Sequence, residues 1–278
     1  MLWAGGFNVT EPGFFQFGNA TVAEGYERFL VPRIFAPWAD VLLEALDLRQ
    51  GERVLDVACG PGTVAKAAAA RVGARGEVVG VDASEEMLTI ARESTPASAR
   101  ARYEFALADA LPFPDASFDV LTCQQGLQFF PDRPKALAEM FRVLRPGGRA
   151  GIATWSSIAD SPYFAAVQTA LGSVLPDAAA AIGKPFAIFD ANVLAAELAA
   201  AGFEAVIESF SLPLVFDGME QAVEAIRGMP VWPSIAAKPA SDRTAIFESA
   251  REGFTRFLHH GRVQTAMRSN VAVARRPG

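Results

Sequence analysis

The chain has 278 residues, 51% of them hydrophobic and 20% charged, with a formal net charge of −6. That length buries a sizeable core and suggests one large domain with a substantial insert, and the composition excludes a disordered chain. Acidic and basic residues are scattered rather than blocked into runs, so no footprint for nucleic acid is present, and no stretch reaches the roughly 18 uninterrupted apolar residues of a membrane span.

Residues 1–50 read as a helical lead-in. Their early aromatics, Leu2 aside, are Trp3, Phe7, Phe14, Phe15 and Phe17, without the basic start and continuous apolar run of a signal peptide, so they are expected to cover something. From Val54 to Trp155 short apolar runs alternate with helical patterns, the signature of a parallel sheet covered on both faces. Val54–Val57 reads as the first strand, Thr63–Val72 as a helix, and Val78–Val81 as the second strand. Ser84 is placed to cap the next helix, with Glu85 and Glu86 in its first turn and Pro96 at its end. Tyr103, Phe105 and Leu107 alternate as a third strand would, and Phe118–Cys123 forms a fourth.

Asp132 can cap the following helix, in which Leu137, Met140, Phe141 and Leu144 line one face before Pro146-Gly147-Gly148 stops it. A fifth strand follows at Ala150–Trp155, then a short helix at Asn192–Ala201, a strand at Glu204–Phe216, and a last strand at Asn270–Arg275. Between those last two strands lies a helical insert broken by Pro230, Pro233 and Pro239, which is expected to fold over the sheet's edge. Its Phe216, Met219, Met229, Trp232, Phe247 and Phe254 suit an apolar ligand and plain packing equally. Two cysteines, Cys59 and Cys123, are too few for a disulfide framework and read as small buried hydrophobes in a reducing compartment. The histidines, His259 and His260, precede Gly261 in an expected exposed turn.

The segment Val54-Leu55-Asp56-Val57-Ala58-Cys59-Gly60-Pro61-Gly62-Thr63 runs from a strand through a glycine-bearing turn into a helix. Gly60 and Gly62 let a ligand approach the backbone, and the free N–H groups of the helix can meet a carboxylate or phosphate. Gly60 to Ala65 also fits the G-x-G-x-x-[GA] dinucleotide pattern, with Asp82 at the distance of a ribose-binding acid. Asp56 separates the two readings, since a carboxylate at the turn repels a pyrophosphate and suits a ligand with an ammonium and a sulfonium.

With Val79-Gly80-Val81-Asp82 and Met87, Ala108-Asp109-Ala110-Leu111-Pro112, and Arg142-Val143-Leu144-Arg145-Pro146-Gly147-Gly148, this segment resembles the class I S-adenosylmethionine-dependent methyltransferases. The likeness covers about residues 25–155 and is to the group similar to ubiquinone and menaquinone biosynthesis methyltransferases. It implies that Asp56, Gly60 and Gly62 line the methionine end of S-adenosylmethionine, that Asp82 binds the ribose, and that Ala83, Met87, Asp109 and Ala110 surround the adenine. Gln125 joins the cofactor set. The loop Cys123-Gln124-Gln125-Gly126-Leu127-Gln128-Phe129-Phe130 takes the position beside the transferable methyl, making Gln128 and Phe129 substrate-side candidates, and Tyr26 is an aromatic that closes over the site. Relatives often carry histidine near Gln128 or Phe129; its absence here removes the obvious general base. Helix capping competes for Asp82, turn capping for Asp109, and ordinary packing for Met87 and Tyr26.

The expected fold is therefore α/β: a doubly wound, mostly parallel, seven-stranded sheet with an antiparallel last strand. Residues 1–50 form the lead-in and lid, 51–216 with 262–278 the cofactor core, and 217–261 the insert over the substrate. The expected activity is methyl transfer to a small, largely apolar acceptor whose receiving atom (O, N or C) stays open, with S-adenosylhomocysteine as product and no metal. A fold-alike that binds the cofactor without methylating and a nicotinamide-dependent oxidoreductase remain the rivals. A cytoplasmic location is the default, with a homodimer left open.

Overall fold

In β1, Arg53–Val57, and β2, Glu77–Asp82, side chains alternate between two faces of one sheet, and both faces are apolar. Leu55, Val57, Val79 and Val81 meet helices on one side, while Val54 and Val78 meet helices on the other. The structure, a computed structural model, describes residues 20–188 and 190–278. The early aromatics from Trp3 to Phe17 lie outside the described residues.

The sheet continues with β3, Ala101–Phe105; β4, Phe118–Gln124; β5, Leu144–Trp155; β6, Glu204–Phe216; β7, Leu258–His259; and β8, Arg262–Arg275. Its order is β3-β2-β1-β4-β5-β8-β6, with the two-residue β7 paired to β8. Strands β1 to β5 are parallel, and β8 runs antiparallel to both β5 and β6. The doubly wound sheet and its antiparallel final strand are as expected from the sequence. The eighth strand arises because His260 and Gly261 both take positive φ, 48° and 78°, the geometry of a tight two-residue hairpin. Both histidines sit in that exposed hairpin, and neither lines the cavity at the motif turn.

The lead-in comprises α1, Ala20–Gly25, a π-wound segment, Tyr26–Phe35, and α2, Ala36–Leu46. Helices α3, Thr63–Val72, and α4, Glu85–Ser94, follow the first two strands; α5, Arg133–Val143, follows β4. Ser84 and Asp132 cap as read, accepting from Met87 N at 3.2 Å and Lys135 N at 3.0 Å. Helices α6, Pro162–Gly172, α7, Pro176–Gly183, and α8, Ala191–Ala200, lie between β5 and β6. The insert holds α9, Met219–Glu224, α10, Trp232–Ala236, and α11, Ala240–Thr255. Among the described residues no single helix is long and apolar enough to cross a membrane.

Four sequence readings are corrected. Strand β8 starts at Arg262 rather than Asn270, because its first half exposes one face and its polar Gln264 and Arg268 mask the strand. Strand β5 opens directly at Leu144, where a register shift opposite Phe118 to Val120 absorbs the Pro-Gly-Gly irregularity. The alternation of Tyr103, Phe105 and Leu107 buries only Tyr103; β3 is the sheet's edge, and Phe105 and Leu107 stay 57% and 44% exposed at its end. Helices α6 and α7 had no counterpart in the reading, although Pro162 and Pro176 sit at first helical positions.

Those two helices matter because they complete a second hydrophobic core. Leu30, Ile34 and Trp38 of the lead-in join Tyr163 and Val167 of α6, Phe216 of β6, Ile226 and Met229 of the insert, and Ile246 and Phe254 of α11. Phe216, Met229 and Phe254 are thus packing residues, each at most 1% exposed. Tyr163 is the hub: its ring stacks on Phe254 at 4.8 Å and lies 4.8 Å from Phe216, and its hydroxyl donates to Ala222 O at 2.7 Å.

Truncating this hub removes a fully buried aromatic and leaves the Ala222 carbonyl without its donor. Tyr163→Ala is expected to cost about 3–5 kcal/mol in urea unfolding. A loss below about 1 kcal/mol would show that the lead-in, α6 and the insert do not share one core.

Candidate functional site

Strands β1 and β4 are neighbours in space but send their chains to opposite sides, so a crevice opens beyond their carboxyl ends. Asp56 and Thr122 face each other in register across that pair, and the Thr122 hydroxyl donates to Asp56 Oδ1 at 2.7 Å. The other carboxylate oxygen, Oδ2, is buried with no hydrogen-bond partner. Burial lifts the Asp56 pKa to about 7, opposed by the Thr122 hydroxyl and the Ala65 backbone N–H and reinforced slightly by Asp82. An unfolded aspartate ionises near pH ~3.9. With the folded value raised, the stability this group contributes is present below pH ~4 and is lost as pH rises through about 7.

Above Asp56 a small cavity of about 40 Å³ is lined by Tyr26, Phe35, Ala58, Gly60, Thr63 and Gln124, among others. Three buried polar atoms without partners belong to residues that line it: Asp56 Oδ2, Thr63 Oγ1 and Gln124 Oε1. The amide of Gln124 is oriented by its donation to Phe35 O at 2.9 Å, which turns its carbonyl the other way. Two acceptors and a hydroxyl at the start of α3 match a ligand end bearing an ammonium and a carboxylate.

The cover over this cavity comes from the π-wound segment. At ~4.4 residues per π turn, positions nine apart return to one face, whereas α-winding would place them opposite. Tyr26 and Phe35 accordingly stack, with ring centroids 4.6 Å apart. Burial, with Asp82 and Glu27 nearby, raises the Tyr26 hydroxyl well above its usual pKa, so it stays protonated. Glu27 faces Lys66 of α3 at 3.7 Å, tying the cover to the helix below.

The two turn glycines do different work. Gly60, at φ 52°, has nothing within 4 Å of where a Cβ would stand, so its face is open. Gly62, at φ 79°, would push a Cβ to 2.5 Å from the Tyr103 hydroxyl, and Gly80 is likewise filled by the Tyr103 ring. The expectation that Gly62 makes room for a ligand is therefore corrected: it makes room for Tyr103, which props the turn from β3 and bonds Thr95 Oγ1 at 2.8 Å. Ala58 and Gln125, at the ends of β1 and β4, hold positive φ of 56° and 57° without being glycine. Such strain persists only where surroundings enforce it.

Asp82 joins two turns, accepting from Gly60 N at 2.8 Å and Ser84 N at 2.9 Å. Burial raises its pKa, and the amides of Gly60, Ser84 and Ala83 restrain that rise. The helix-capping role weighed for Asp82 falls to Ser84; Asp82 instead accepts from the two turn amides, which brings its carboxylate beside Gly60. Ala83 is half-buried beyond β2, while Met87, in the first turn of α4, is 2% exposed. Asp109 and Ala110 do not line the cavity: Asp109 faces Lys135 at 3.4 Å and Ala110 is exposed. Gln125 is directed away too, its amide donating to Ser269 Oγ at 2.9 Å, with Gln128 behind it at 3.4 Å. Phe129 is half-buried on the same short turn.

Of the sequence-based candidates, the cavity unites Tyr26, Asp56 and Gly60. Reading the sequence missed Thr63, Thr122, Phe35 and Tyr103, and named Gln124 only as part of the loop beside the transferable methyl. Thr122 was findable as a polar residue inside an apolar strand. Phe35 was not, since its placement depends on π-winding. Burial raises Cys59 well above its usual value and Cys123 to about 12, which makes both poor nucleophiles. Among the described residues no cluster of three or more His, Cys, Asp or Glu could hold a metal.

Comparisons with known proteins bear on the family and the fold. The family model described as the ubiE/COQ5 methyltransferase family matches residues 27–206. The ubiquinone/menaquinone biosynthesis C-methyltransferase of Edwardsiella ictaluri is 40% identical over 136 residues, 48% of this chain and 53% of that protein. The chain spans about half the length of the curated relatives it matches. Among solved structures, the YcgJ protein from Bacillus subtilis has a TM-score of 0.58 at 23% identity, covering 86% of this chain and 98% of that one. The Haemonchus contortus phosphoethanolamine N-methyltransferase 2, solved with phosphomonomethylethanolamine and S-adenosylhomocysteine, gives 0.61 at 18% identity, covering 96% of this chain and 61% of that one. At these identities the likeness shows the fold.

The two glycines are separable by stability alone. Gly62→Ala is expected to cost about 2–4 kcal/mol, from positive φ and the collision with Tyr103, and Gly60→Ala only about 1 kcal/mol. Equal midpoints in denaturant would overturn the assignment of Gly62 to Tyr103.

Proposed function

The chain belongs to the ubiE/COQ5 methyltransferase family, and from that premise we propose that it transfers a methyl group from S-adenosylmethionine to a small, largely apolar acceptor. The observation that carries this reading is that three unpartnered buried polar atoms, Asp56 Oδ2, Thr63 Oγ1 and Gln124 Oε1, belong to residues lining one cavity at the β1–β4 crevice. A pyrophosphate would meet the Asp56 carboxylate there, which disfavours a nicotinamide cofactor. When bound, S-adenosylmethionine supplies an electrophilic methyl on a positive sulfonium.

The residues divide the work. Asp56 Oδ2 and Gln124 Oε1 would hold the ammonium, and Thr63 with the start of α3 the carboxylate. Asp82, already fixed by the Gly60 and Ser84 amides, would take the ribose hydroxyls. Asp109 and Ala110 would reach the adenine from the loop after β3. Tyr26 and Phe35 exclude water above. Ligand sites of this kind run to about 300–1,000 Å³, so the cavity of about 40 Å³ would take only the amino-acid end of such a ligand.

With the histidines outside the cavity lining and the Tyr26 hydroxyl and the thiols held protonated, acceleration rests on positioning and a dry pocket rather than on a general base. An acidic phenol or enol acceptor would lose its proton to water before it enters the dry pocket. The strongest likeness lies in the cofactor half, and the family match ends at residue 206, before the insert. The family match alone therefore does not define the receiving atom of the acceptor. We also place the enzyme in a reducing compartment, in keeping with two unpaired, buried cysteines.

Titration calorimetry with S-adenosylhomocysteine tests the cofactor reading. Its ammonium favours ionised Asp56, so affinity should fall by up to about tenfold per unit as pH drops below about 7, with proton release on binding at pH 6. Asp56→Asn should weaken binding at neutral pH and flatten the profile. No binding, or a pH dependence unchanged in Asp56→Asn, would contradict the proposal.

A further inference from the structure

The connection from β3 to β4 passes from an edge strand to a central one, with β2 and β1 between them, and it contains no helix, unlike the connections that hold α3, α4 and α5. A coil makes few hydrogen bonds of its own, so the backbone groups of residues 106–117 need partners from elsewhere. One face of α5 supplies them, since Lys135, Glu139 and Arg142 recur at i, i+4 and i+7. Glu139 Oε2 accepts from Leu111 N at 2.9 Å and Arg142 Nη2 donates to Leu111 O at 3.0 Å, so one ion pair holds both ends of a single residue. Arg142 also reaches the two Glu139 oxygens at 2.7 and 2.8 Å, Phe113 O at 2.7 Å and Asp115 Oδ1 at 2.8 Å, which occupies all five of its N–H donors. Its own carbonyl accepts from Ala116 N at 3.0 Å. The guanidinium holds Glu139 below the usual carboxylate range, so the pair stays charged at neutral pH.

The same loop begins at the site. Ala106 N donates to Asp82 O at 3.1 Å, beside the residue proposed for the ribose. Residues 107–110 close as a turn, Ala110 N donating to Leu107 O at 3.1 Å, and leave Asp109 half-buried and Ala110 exposed. Leu111 follows, 4% exposed and packed in the core of the sheet. The Asp109–Lys135 pair is more exposed, and such pairs hold little, so the turn takes its position from the grip on Leu111, two residues away.

We infer that Glu139 and Arg142 are positioning residues for base recognition: by gripping Leu111 they hold the Asp109 carboxylate where it accepts from the adenine amine. The inference rests on the methyl-transfer reading, and it gives a role to the segment opening at Arg142, which does not line the cavity. A lysine at 142 keeps the charge but carries three donors on one atom, which cannot serve Leu111, Phe113 and Glu139 together.

The test titrates the full chain with S-adenosylhomocysteine and with S-inosylhomocysteine, in which a carbonyl oxygen replaces the adenine amine and would face the Asp109 carboxylate. Wild type should bind the adenine ligand at least ~10-fold more tightly, and Asp109→Ala should bring the two affinities together. Arg142→Lys and Glu139→Gln, both conservative in size, should each cut the ratio to within ~3-fold while the protein stays folded by circular dichroism. A merely structural role would weaken both ligands alike and leave the ratio as it is. In the Asp109→Ala background, Arg142→Lys should leave the ratio where Asp109→Ala alone puts it. No preference in wild type, a wild-type ratio in either conservative variant, or a further fall in the double variant would each overturn the inference. If wild type binds neither ligand, the methyl-transfer reading fails instead, and the two failures are distinct.

Discussion

The site depends on a carboxylate that the fold half satisfies. Asp56 sits 1% exposed between two parallel strands, with one oxygen bonded to Thr122 and the other bare. Taking a charge out of water is expensive unless a partner arrives, and here burial answers by raising the pKa to about 7. The sheet supplies this arrangement directly. Parallel pairing puts Asp56 opposite Thr122, and the reversal of chain direction around β1 and β4 leaves the crevice into which the bare oxygen looks.

Around that carboxylate the molecule uses two hydrophobic cores for two purposes. The sheet's own faces, filled by residues such as Leu55, Val79 and Leu121 on one side and Val54, Val78 and Val120 on the other, fix the strand ends and hence the polar atoms. The second core, organised on Tyr163, joins the lead-in to α6 and the insert and so holds the cover in place. The close backbone approach of Gly25 and Gly228, where an added Cβ at Gly228 would stand 2.6 Å from Gly25 O, welds lead-in to insert. The π-winding that stacks Tyr26 on Phe35 operates inside that framework.

Much of the sheet was legible because period-two and helical patterns are local. Helix α3 and strand β6 matched their expected bounds, and Ser84 and Asp132 declared their caps. Where an element's identity depends on a partner, the sequence was mute: the polar first half of β8 is a strand only because β6 lies beside it. Glycines showed the same limit. Gly60 and Gly62 look alike in the chain, yet one opens to a cavity and the other receives a tyrosine from β3, across more than one strand of sheet. Gln125 read as a ligand contact, but the direction of its amide is set by Ser269, 144 positions away. Composition left the insert's apolar residues open between a ligand wall and packing, and Phe216, Met229 and Phe254 fill the core.

The account's central claim is chemical, and cofactor binding alone does not meet it. The most direct measurement incubates the purified chain with S-adenosylmethionine carrying an isotopically labelled methyl group and a pool of small apolar hydroxy- and amino-compounds, followed by mass spectrometry. The account predicts products heavier than their parents by one labelled methyl, formed together with S-adenosylhomocysteine and lost in Asp56→Asn at neutral pH. Tight cofactor binding with no labelled product from any acceptor would contradict it and leave a binding protein of the same fold.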